Sequence, residues 1–342
     1  MKNIKLQSKL IVLGLIIGLT LTGCSDGVRN TKSVITSKLR IAVQYGIGYA
    51  PIYVMERKGL LEKYLPGMVV EKIVLGNAAA ISEALASNRL DIGAIGIPQV
   101  LIAWDKGIEI GILAGFPITG LSELHSRDYI KSLADFTPTD KIAVPGLTNS
   151  HGLLFLMACE KELGNAHALD NNVVSMPHPD AVMALMSGSI SAHFTSSVYG
   201  KQEEKSGFAT ILNTHDIVGG DVTGAVLVAT KKLHDTNPIA MAGILAAFSE
   251  AIILIQQHDP AVFSIIAETE KMTEKEVLEN LEDYLNFTTT IYGLEFYNDF
   301  MLKEGMISKK PALEDILWEP ALATIGKRSG EPGILEEAQK RK

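Results

Sequence analysis

The chain has 342 residues, of which 47% are hydrophobic and 20% are charged, and its formal net charge is −8. This length and apolar content are enough for one large or two medium domains with substantial cores, which excludes a disordered protein. The acidic balance excludes nucleic-acid binding, because that binding depends on neutralising phosphates with lysine and arginine.

The N-terminus has the pattern of an export signal. Lysines precede the apolar run LIVLGLIIGLTLTG at residues 10–23, and Cys24 follows it. This run is too short to cross a hydrocarbon core of roughly 30 Å as a helix, but it suits the apolar segment of a signal peptide. The ending Leu-Thr-Gly-Cys resembles the bacterial lipobox, which predicts that residues 1–23 are removed and that Cys24 is lipidated. A plain secretory signal with an incidental cysteine is the alternative.

Residues 24–38 are polar and show no periodicity, so we expect a flexible tether between the lipid anchor and the folded body. The second cysteine is Cys159, and no disulfide is available once Cys24 carries lipid. There is no CxxC motif and no His/Cys cluster with zinc spacing. The sequence therefore predicts neither a metal site nor a cofactor.

From residue 39 the sequence contains the same pattern twice. AAAISEALASNRLDIGAIGIPQ begins at residue 78, and HPDAVMALMSGSISAHFTSSVY begins at residue 178. Each copy alternates short β-rich runs with amphipathic helices, which predicts parallel βαβ units with right-handed crossovers. The predicted strands are residues 39–43, 69–75 and 91–95 in the first copy and residues 141–144, 172–176 and 191–195 in the second. Two such copies predict an α/β fold with two lobes.

The segments after each copy are less regular. A strand at 110–115 precedes the irregular segment FPITGLSELHSRDYIKSLADF, and strands at 208–214 and 224–230 precede a block of helices. Asn237-Pro238 and Thr273-x-x-Glu276 predict helix starts. The helix after Pro238 is apolar nearly all round, so we expect it to be buried. The C-terminal helices are expected to pack on the first lobe, and residues 327–342 to form a solvated tail.

The turns that follow the repeated strands are the candidate site. Ligands of open α/β sheets bind beyond the carboxyl ends of the strands, where loops lead into helix N-termini. These turns are residues 44–49, 76–79 and 96–99 in the first copy and residues 145–151, 177–180 and 195–197 in the second. Gly, Asn, Ser and Pro also punctuate turns and cap helices in any protein. Two parallel sets favour a shared cleft between the lobes.

GLLEKYLPG, ALASNRLDIGAIGIPQ, GLTNSHGLL and FMLKEGMI resemble the solute-binding lipoproteins of ABC importers, in the branch that takes up aliphatic sulfonates, taurine and nitrate together with thiamine-precursor pyrimidines. The resemblance covers residues 39 to about 318. It implies a two-lobed periplasmic-binding-protein fold of type II with two chain crossovers, which closes like a hinged clamp. The implied segments are residues 39–115 and 221–326 for the first lobe and residues 116–220 for the second.

The resemblance also implies partners and a location. The partners would be a small-molecule ligand, an ABC permease and, through the permease, a cytoplasmic ATPase. The protein would be a monomer outside the cytoplasmic membrane, held to the cell envelope by its lipid anchor.

The candidate ligand-binding residues come from matching the family's cleft loops, with Phe116 and Asp221 added at the edge. They are Gln44, Tyr45, Tyr49, Asn77, Ala78, Ile97, Pro98, Phe116, Asn149, Ser150, His151, His178, Thr195, Ser196 and Asp221. The sequence differs from the family's pattern in two ways. The strand ending at Thr195 ends in hydroxyl residues, where relatives often have a tryptophan. In addition, no arginine falls in a predicted cleft loop, and Arg127 could at most reach the rim.

The absence of arginine from the predicted cleft loops narrows the chemical class of the ligand. A phosphate or dicarboxylate usually recruits arginine, whereas a sulfonate or a neutral heterocycle can be held by backbone N–H groups, hydroxyls and amides. We therefore expect a small organic anion of the sulfonate type first and a pyrimidine-like heterocycle second. Two histidines near the cleft could make the affinity pH-dependent.

Two other classes of protein are alternatives to an importer component. The thiamine-pyrimidine synthases share this fold, but two cysteines cannot supply their cysteine cluster, and no G-x-S-x-G, H-E-x-x-H or P-loop motif is present. We therefore predict that the chain is not an enzyme. A sensor or adhesin lipoprotein of the same fold remains an alternative.

Overall fold

The computed structural model of the chain describes residues 38–321, apart from residues 45, 120, 121, 221, 284 and 320. The predicted signal peptide, Cys24, most of the tether and the tail lie outside the described residues. The strands are β1 Lys38–Val43, β2 Val69–Val74, β3 Ile92–Ile95, β4 Ile110–Thr119, β5 Ser122–Ser126, β6 Ile142–Val144, β7 Val173–Ser175, β8 Ala192–Ser196, β9 Ala209–Asn213, β10 Thr223–Thr230 and β11 Leu285–Asn286.

Fourteen described helices connect or follow these strands. They are α1 Ala50–Arg57, α2 Leu60–Tyr64, α3 Ala78–Ala86, α4 Ile97–Asp105, α5 Ser150–Leu163, α6 His178–Ser187, α7 Ser197–Lys205, α8 Thr214–Val218, α9 Lys231–Thr236, α10 Pro238–Gln256, α11 Pro260–Glu270, α12 Glu274–Asp283, α13 Leu294–Lys303 and α14 Leu313–Ile316.

The strands form two sheets that contain the two copies of the repeat. The larger sheet has six strands in the order β11-β4-β10-β3-β1-β2, and the smaller has five in the order β7-β6-β8-β5-β9. Strand β1 pairs in parallel with β2 and β3, and β6 pairs in parallel with β7 and β8. The same three-strand pattern therefore stands in both sheets, which confirms the predicted βαβ units.

The chain passes twice between the sheets. The first passage lies between Thr119 at the end of β4 and Ser122 at the start of β5. The second lies between α8 and β10. In each sheet the strand that arrives by a passage runs antiparallel to its neighbours: β5 pairs with β8 and β9, and β10 pairs with β3 and β4. These are the two predicted crossovers.

The prediction of an irregular segment directly after residue 115 is wrong, because this segment contains strand structure. Strand β4 continues to Thr119, and Ser122–Ser126 is a central strand whose five residues are all buried. Its sequence, SELHS, shows no alternation of apolar and polar residues. Glu123 and His125 can nevertheless be buried, because they pair with each other and His125 also pairs with Glu203. Polar side chains paired in this way can occupy a core that the hydrophobic pattern does not reveal.

Helices cover both faces of the larger sheet. One face packs against α1, α2, α10 and α11, and the other against α3, α4 and α13. Helix α10 is the one described helix that is long and apolar enough to cross a membrane, and much of its surface is instead buried in this core. The expectation of full burial was too strong, since Ile239 is 47% and Ile253 is 48% exposed.

The predicted helix starts have the expected caps. The Asn237 side chain accepts from the N–H of Ala240 at 3.0 Å. Thr273 and Glu276 form the reciprocal capping box, with the N–H of Thr273 donating to Glu276 at 2.8 Å and the N–H of Glu276 donating to the Thr273 hydroxyl at 3.2 Å. Both predictions are confirmed.

Asp140 joins three segments of the smaller sheet. It is 5% exposed and accepts hydrogen bonds from the hydroxyls of Tyr129 at 2.6 Å, Thr137 at 2.7 Å and Ser191 at 2.7 Å. Burial by itself raises the pKa of Asp140, but these hydrogen bonds outweigh it and lower the pKa far below its usual value. The carboxylate thus holds the approaches to β6 and β8 and the segment after β5 together.

Replacing Asp140 by alanine should lower the free energy of unfolding by about 2–4 kcal/mol, because three hydroxyl donors, of which Ser191 is buried, lose a charged and buried acceptor. Unfolding in urea measures this loss. Because the folded state lowers the pKa, the contribution is present above the ordinary pKa of aspartate and disappears as the pH falls through the folded value. The gap between wild type and Asp140→Ala should therefore narrow in acid.

Asp128→Ala is the matched control, since Asp128 is exposed and lies nearby in sequence. It should change stability by no more than about 0.5 kcal/mol. Equal losses in the two variants would contradict the role given to Asp140.

Candidate functional site

A cavity of about 210 Å³ lies between residues that follow the strands of the larger sheet and residues that follow those of the smaller sheet. Six described helices begin at its wall. Residues at or just before the N-termini of α1, α3 and α4 line it from the side of the larger sheet, and residues at the N-termini of α5, α6 and α7 line it from the side of the smaller sheet. Each helix start carries the positive end of a helix dipole, and N–H groups of its first turn lack partners within the helix. Fewer N–H groups are open at α1, because the N–H of Ala50 donates to the Ile47 carbonyl and Pro51 has no N–H.

Some of these helix starts are already capped and others are not. The side chains of Asn77 and Asn149 accept from the N–H groups of Ala80 and Gly152, both at 2.9 Å. The N-cap residues of α4, α6 and α7, which are Gly96, Pro177 and Ser196, make no side-chain cap hydrogen bond. The start of α7 therefore keeps N–H groups without a side-chain cap, whereas the second helical residue of α4 and of α6 is proline, which has no N–H.

The structure brings about half of the predicted site residues together. Those that line the cavity are Gln44, Tyr49, Ala78, Asn149, Ser150, His151, His178 and Ser196. Tyr45 and Asp221 lie outside the described residues.

The other predicted residues lie near the cavity without lining it. Asn77 is exposed and caps α3, and Ile97 and Pro98 are buried in the first turn of α4. Phe116 is fully buried behind Tyr49, edge-on to it and to Phe248. Thr195 is 1% exposed at the end of β8.

Several lining residues were missed by sequence reasoning. Gln99 and Pro179 fall within the predicted turns 96–99 and 177–180 without being singled out, whereas Pro117, Ser122, Tyr199 and Gly224 fall outside the predicted turns. Gln99 and Tyr199 lie a few residues inside α4 and α7 and face the cavity through helical geometry, so a helical-wheel argument from the predicted starts could have found them. Ser122 and Gly224 lie at the two passages between the sheets, where no local pattern marked them.

The start of α5 touches the loops of the larger sheet across the cavity. The Ser150 hydroxyl donates to the carbonyl of Gly224 at 3.3 Å, and the Gln99 amide donates to the carbonyl of Thr148 at 2.8 Å. A side chain at Gly96 would not fit this approach, because its Cβ would stand 2.6 Å from the Ser150 Oγ. A larger residue at position 96 would thus require the Ser150 and Gln99 side chains to move.

No aspartate, glutamate, lysine or arginine lines the cavity among the described residues. Arg127 lies at the other end of α6, where it donates to the carbonyls of Leu185 at 2.8 Å and Ile190 at 3.3 Å. The two lining histidines are neutral: burial, followed by the neighbouring His193, lowers the pKa of His151 to about 4, and burial lowers the pKa of His178 well below its usual value. Helix ends thus dominate the electrostatics.

Aromatic rings form the wall on the side of the smaller sheet. His178 stacks on Tyr199 with ring centroids 5.3 Å apart, and His151 meets His178 edge-on at 5.1 Å. On the opposite wall, the Gln44 amide donates to the Tyr49 hydroxyl at 2.8 Å, which leaves the hydroxyl hydrogen of Tyr49 free to donate. The cavity can therefore enclose a small molecule between rings and offer it hydrogen bonds.

One group of side chains outside the cavity has the composition of a metal site. Glu123, His125 and Glu204 place one ligand atom each within 4.8 Å of one another. The nitrogens of His125, however, already face carboxylates, with Nε2 3.0 Å from Glu123 and Nδ1 3.2 Å from Glu203. Ion pairing accounts for this group.

The low pKa of His151 predicts acid sensitivity. The folded pKa of about 4 lies below the ordinary value of 6.5, so the unfolded chain takes up this proton first as the pH falls. The stability contribution of neutral His151 is complete above about 6.5 and declines until about 4, with an upper limit of about 3 kcal/mol. Urea unfolding at several pH values should show wild type losing stability relative to His151→Phe in this window.

His215→Phe is the control for this experiment, because His215 is exposed. This variant should follow the pH dependence of wild type. A His151→Phe variant with an unchanged pH dependence would show that the ring is not held neutral by its surroundings.

Comparisons with known proteins agree with this architecture. The NMT1-like family profile matches residues 34–269. Among solved structures, the periplasmic aliphatic sulphonate-binding protein SsuA from Escherichia coli is similar with a TM-score of 0.66 and 20% identity, over 83% of this chain and 92% of that one. No curated protein matches the chain in sequence.

Two further structures show the same likeness. A ligand-binding component of an ABC-type import system from Staphylococcus aureus, with zinc bound, has a TM-score of 0.68 and 18% identity over 90% of this chain and 100% of that one. The periplasmic nitrate-binding protein NrtA from Synechocystis PCC 6803 has a TM-score of 0.58 and 18% identity over 70% of this chain and 68% of that one. The chain has the fold of the periplasmic binding proteins and belongs to the NMT1-like family.

Proposed function

We propose that this protein is the extracytoplasmic solute-binding component of an ABC importer and that it captures a small organic anion of the sulfonate, taurine or nitrate type between its lobes. One observation carries the proposal: six helix N-termini meet at a cavity whose described lining has no charged side chain. Helix starts attract anions through free N–H groups and the helix dipole. An acidic group in the wall would oppose this, and none is present among the described residues.

The structural relatives support the transport role, since two of them are periplasmic binding proteins for an aliphatic sulphonate and for nitrate and a third is a component of an ABC-type import system. A pyrimidine-like heterocycle is the second candidate ligand in the same role. The ring wall of His151, His178 and Tyr199 favours it, because a flat heterocycle could stack there.

The geometry of Ser150 and His151 favours binding over catalysis. An activated serine needs a base within hydrogen-bond reach. The Ser150 hydroxyl instead donates to the Gly224 carbonyl, and the described contacts of the His151 ring are ring contacts with His178 and Phe194. We therefore propose a protein that binds without catalysing a reaction. A sensor would share this site, and a permease and ATPase encoded nearby would favour the importer.

The capture step would be closure of a clamp. We propose that residues 39–119 and 221–326 form one lobe and that residues 120–220 form the other, with the two passages as the hinge. The pairing of β4 in the larger sheet up to Thr119 supports a first boundary four residues later than the sequence suggested. A ligand that touches helix starts on both sides favours the closed form, which the permease would recognise. The protein would act as a monomer.

We further propose that Cys24 carries the lipid that holds the protein at the cell envelope. In a bacterium fed labelled palmitate, the full chain should incorporate the label and Cys24→Ser should not. Cys159→Ser is the matched control, because Cys159 is fully buried and its loss should leave labelling unchanged. Labelled Cys24→Ser protein would disprove the anchor.

A carboxylate introduced at the start of α7 tests whether the ligand is an anion or a neutral molecule. Ser196 lines the cavity and is the N-cap of α7 without a side-chain cap bond. Aspartate is a favourable N-cap, so Ser196→Asp should retain or raise the melting temperature, while its charge repels an anion. Thermal shifts with taurine, alkanesulfonates, nitrate, bicarbonate and pyrimidines measure binding.

Ser196→Asn is the neutral control of the same shape. We expect a saturable shift with a sulfonate in wild type and Ser196→Asn and at least a tenfold weaker response in Ser196→Asp. A shift with pyrimidines alone, equal in both variants, would replace the anion by the heterocycle. Equal sulfonate shifts in both variants would show that the anion does not meet the start of α7.

A further inference from the structure

One stretch of the smaller-sheet part of the chain contacts the larger-sheet part along its whole length. It comprises residues 148–167, which are the end of the loop after β6, helix α5 and the turn that follows α5. We call this stretch the α5 segment. Its contacts form three groups in chain order: hydrogen bonds at the cavity, apolar packing in the middle and ion pairs at the far end.

The first group lies at the cavity wall. The Gln99 amide donates to the Thr148 carbonyl at 2.8 Å, and the Ser150 hydroxyl donates to the Gly224 carbonyl at 3.3 Å. The amide nitrogen of Gln99 must face Thr148, because the amide oxygen would meet another acceptor there. Gln99 is 8% exposed, so water competes little for its hydrogen bond. These bonds join the start of α5 to α4 and to the start of β10.

The second group is an apolar side of α5. Leu153 and Leu156 are buried in the same cluster as Val100 of α4 and Phe300 of α13, which cover the larger sheet. Another side of the helix, which includes Phe155, is buried in the core of the smaller sheet. Helix α5 therefore lies between two layers and is buried in both, which accounts for its apolar residues on more than one side.

The third group lies at the far end of the α5 segment. Glu160 forms an ion pair with Lys303 at the end of α13. His167 lies between two carboxylates, with Nε2 3.1 Å from Glu304 and Nδ1 2.9 Å from Asp170. The Lys303 side chain is 56% exposed, so this pair alone contributes little to stability. It gives the contact a charge pattern that a substitution can reverse.

The contact over the opposite face of the larger sheet is looser. There Lys201 of α7 lies 3.9 Å from Glu279 of α12, and Val277 places α12 in the core on that face. The α5 segment is therefore the closer of these two links.

The packing of the α5 segment has a free edge. A groove of about 320 Å³ runs beside the ion pairs. Met157 and Val218 line it from the smaller-sheet part, and Phe296 and Phe300 of α13 line it from the other side. A contact bounded by an open groove can loosen by rotation of one part against the other, which a continuous close-packed core would resist.

We propose that the α5 segment is a latch that holds the two parts of the clamp in the arrangement in which the six helix starts meet, so that ligand affinity depends on residues the ligand does not touch. The inference rests on the proposed function in that it needs two parts that move. All three groups of contacts are present in the arrangement that forms the cavity. Contacts made in one arrangement and lost in another shift the equilibrium towards the first.

The latch has a distinctive effect on binding. The apparent affinity of a ligand is reduced by the fraction of free protein that has the binding arrangement. A substitution in the latch changes this fraction and should change the apparent affinity for every ligand by the same factor. A substitution in the cavity wall would instead affect ligands of different chemistry differently.

The arrangement can be measured without a ligand. Glu83 of α3 and Met183 of α6 are exposed, and their helices begin on opposite sides of the cavity. We would attach nitroxides to Glu83→Cys and Met183→Cys in the full chain with Cys24→Ser, since Cys159 is fully buried. Pulsed electron spin resonance then gives the distribution of distances between the two labels.

Charge reversal at the far end should release the latch. Lys303→Glu places a third carboxylate beside Glu160 and Glu304, so the share of long distances should rise. Adding Glu160→Lys should return most of the distribution to that of wild type. An unchanged or shortened distance in Lys303→Glu, or no recovery in the double variant, would overturn the proposal.

Arg57→Glu is the matched control. Arg57 pairs with Glu268 at 2.6 Å on a similarly exposed surface, but both residues belong to helices of the larger sheet, α1 and α11. Its reversal should leave the distances as in wild type. A shift as large as that of Lys303→Glu would show that charge reversal acts through general destabilisation.

Calorimetry with taurine and with ethanesulfonate tests the effect on affinity. Lys303→Glu should weaken both by the same factor, at least about threefold, because it replaces an attraction by a repulsion. Weakening of one sulfonate alone, or of neither, would contradict a latch. If neither sulfonate binds to wild type, the sulfonate ligand of the proposed function fails, and the label distances still decide whether the α5 segment is a latch.

Discussion

The fully buried carboxylate of Glu203 is the constraint on which the smaller sheet depends. A charge without solvent is very costly unless donors surround it. His193 from β8 hydrogen-bonds one carboxylate oxygen at 2.6 Å, and His125 from β5 forms an ion pair with the other at 3.2 Å. Strand β5 reaches this position only through the first passage of the chain, so the crossover brings in the residue that neutralises the core. Because His193 also contacts His178, the same carboxylate shapes the wall of the cavity.

The repeated part of the fold was predictable because its signals are local. Apolar strands, capping side chains and glycine turns repeat in order, and Asn237, Thr273 and Glu276 stand where the caps form. Strand β5 was not predictable in this way. Glu123 and His125 read as solvent-facing residues until Glu203, some eighty residues later in the chain, is placed beside them.

The residues of the cavity wall also differ in whether local sequence signals could predict them. Residues in the loops after repeated strands, such as Gln44, Ser150 and His178, line the cavity because parallel strands end at one edge of a sheet. Asn77 follows the same rule but uses its side chain on its own helix. Ser122 and Gly224 reach the wall through the passages between the sheets, which depend on contacts remote in sequence.

The absence of charged side chains from the described lining also bears on how capture and release would be coupled. A lysine or arginine in one lobe would hold an anion in the open clamp almost as firmly as in the closed one, because its charge is complete in either state. Helix starts carry only partial charges, of about half a unit each, that act over roughly one turn. An anion would feel three of them in the open form and six after closure. Most of the binding free energy would then arise on closure, which is the differential affinity that a population shift requires. Opening of the clamp by the permease would remove half of the contacts at once and release the ligand without a bond being broken.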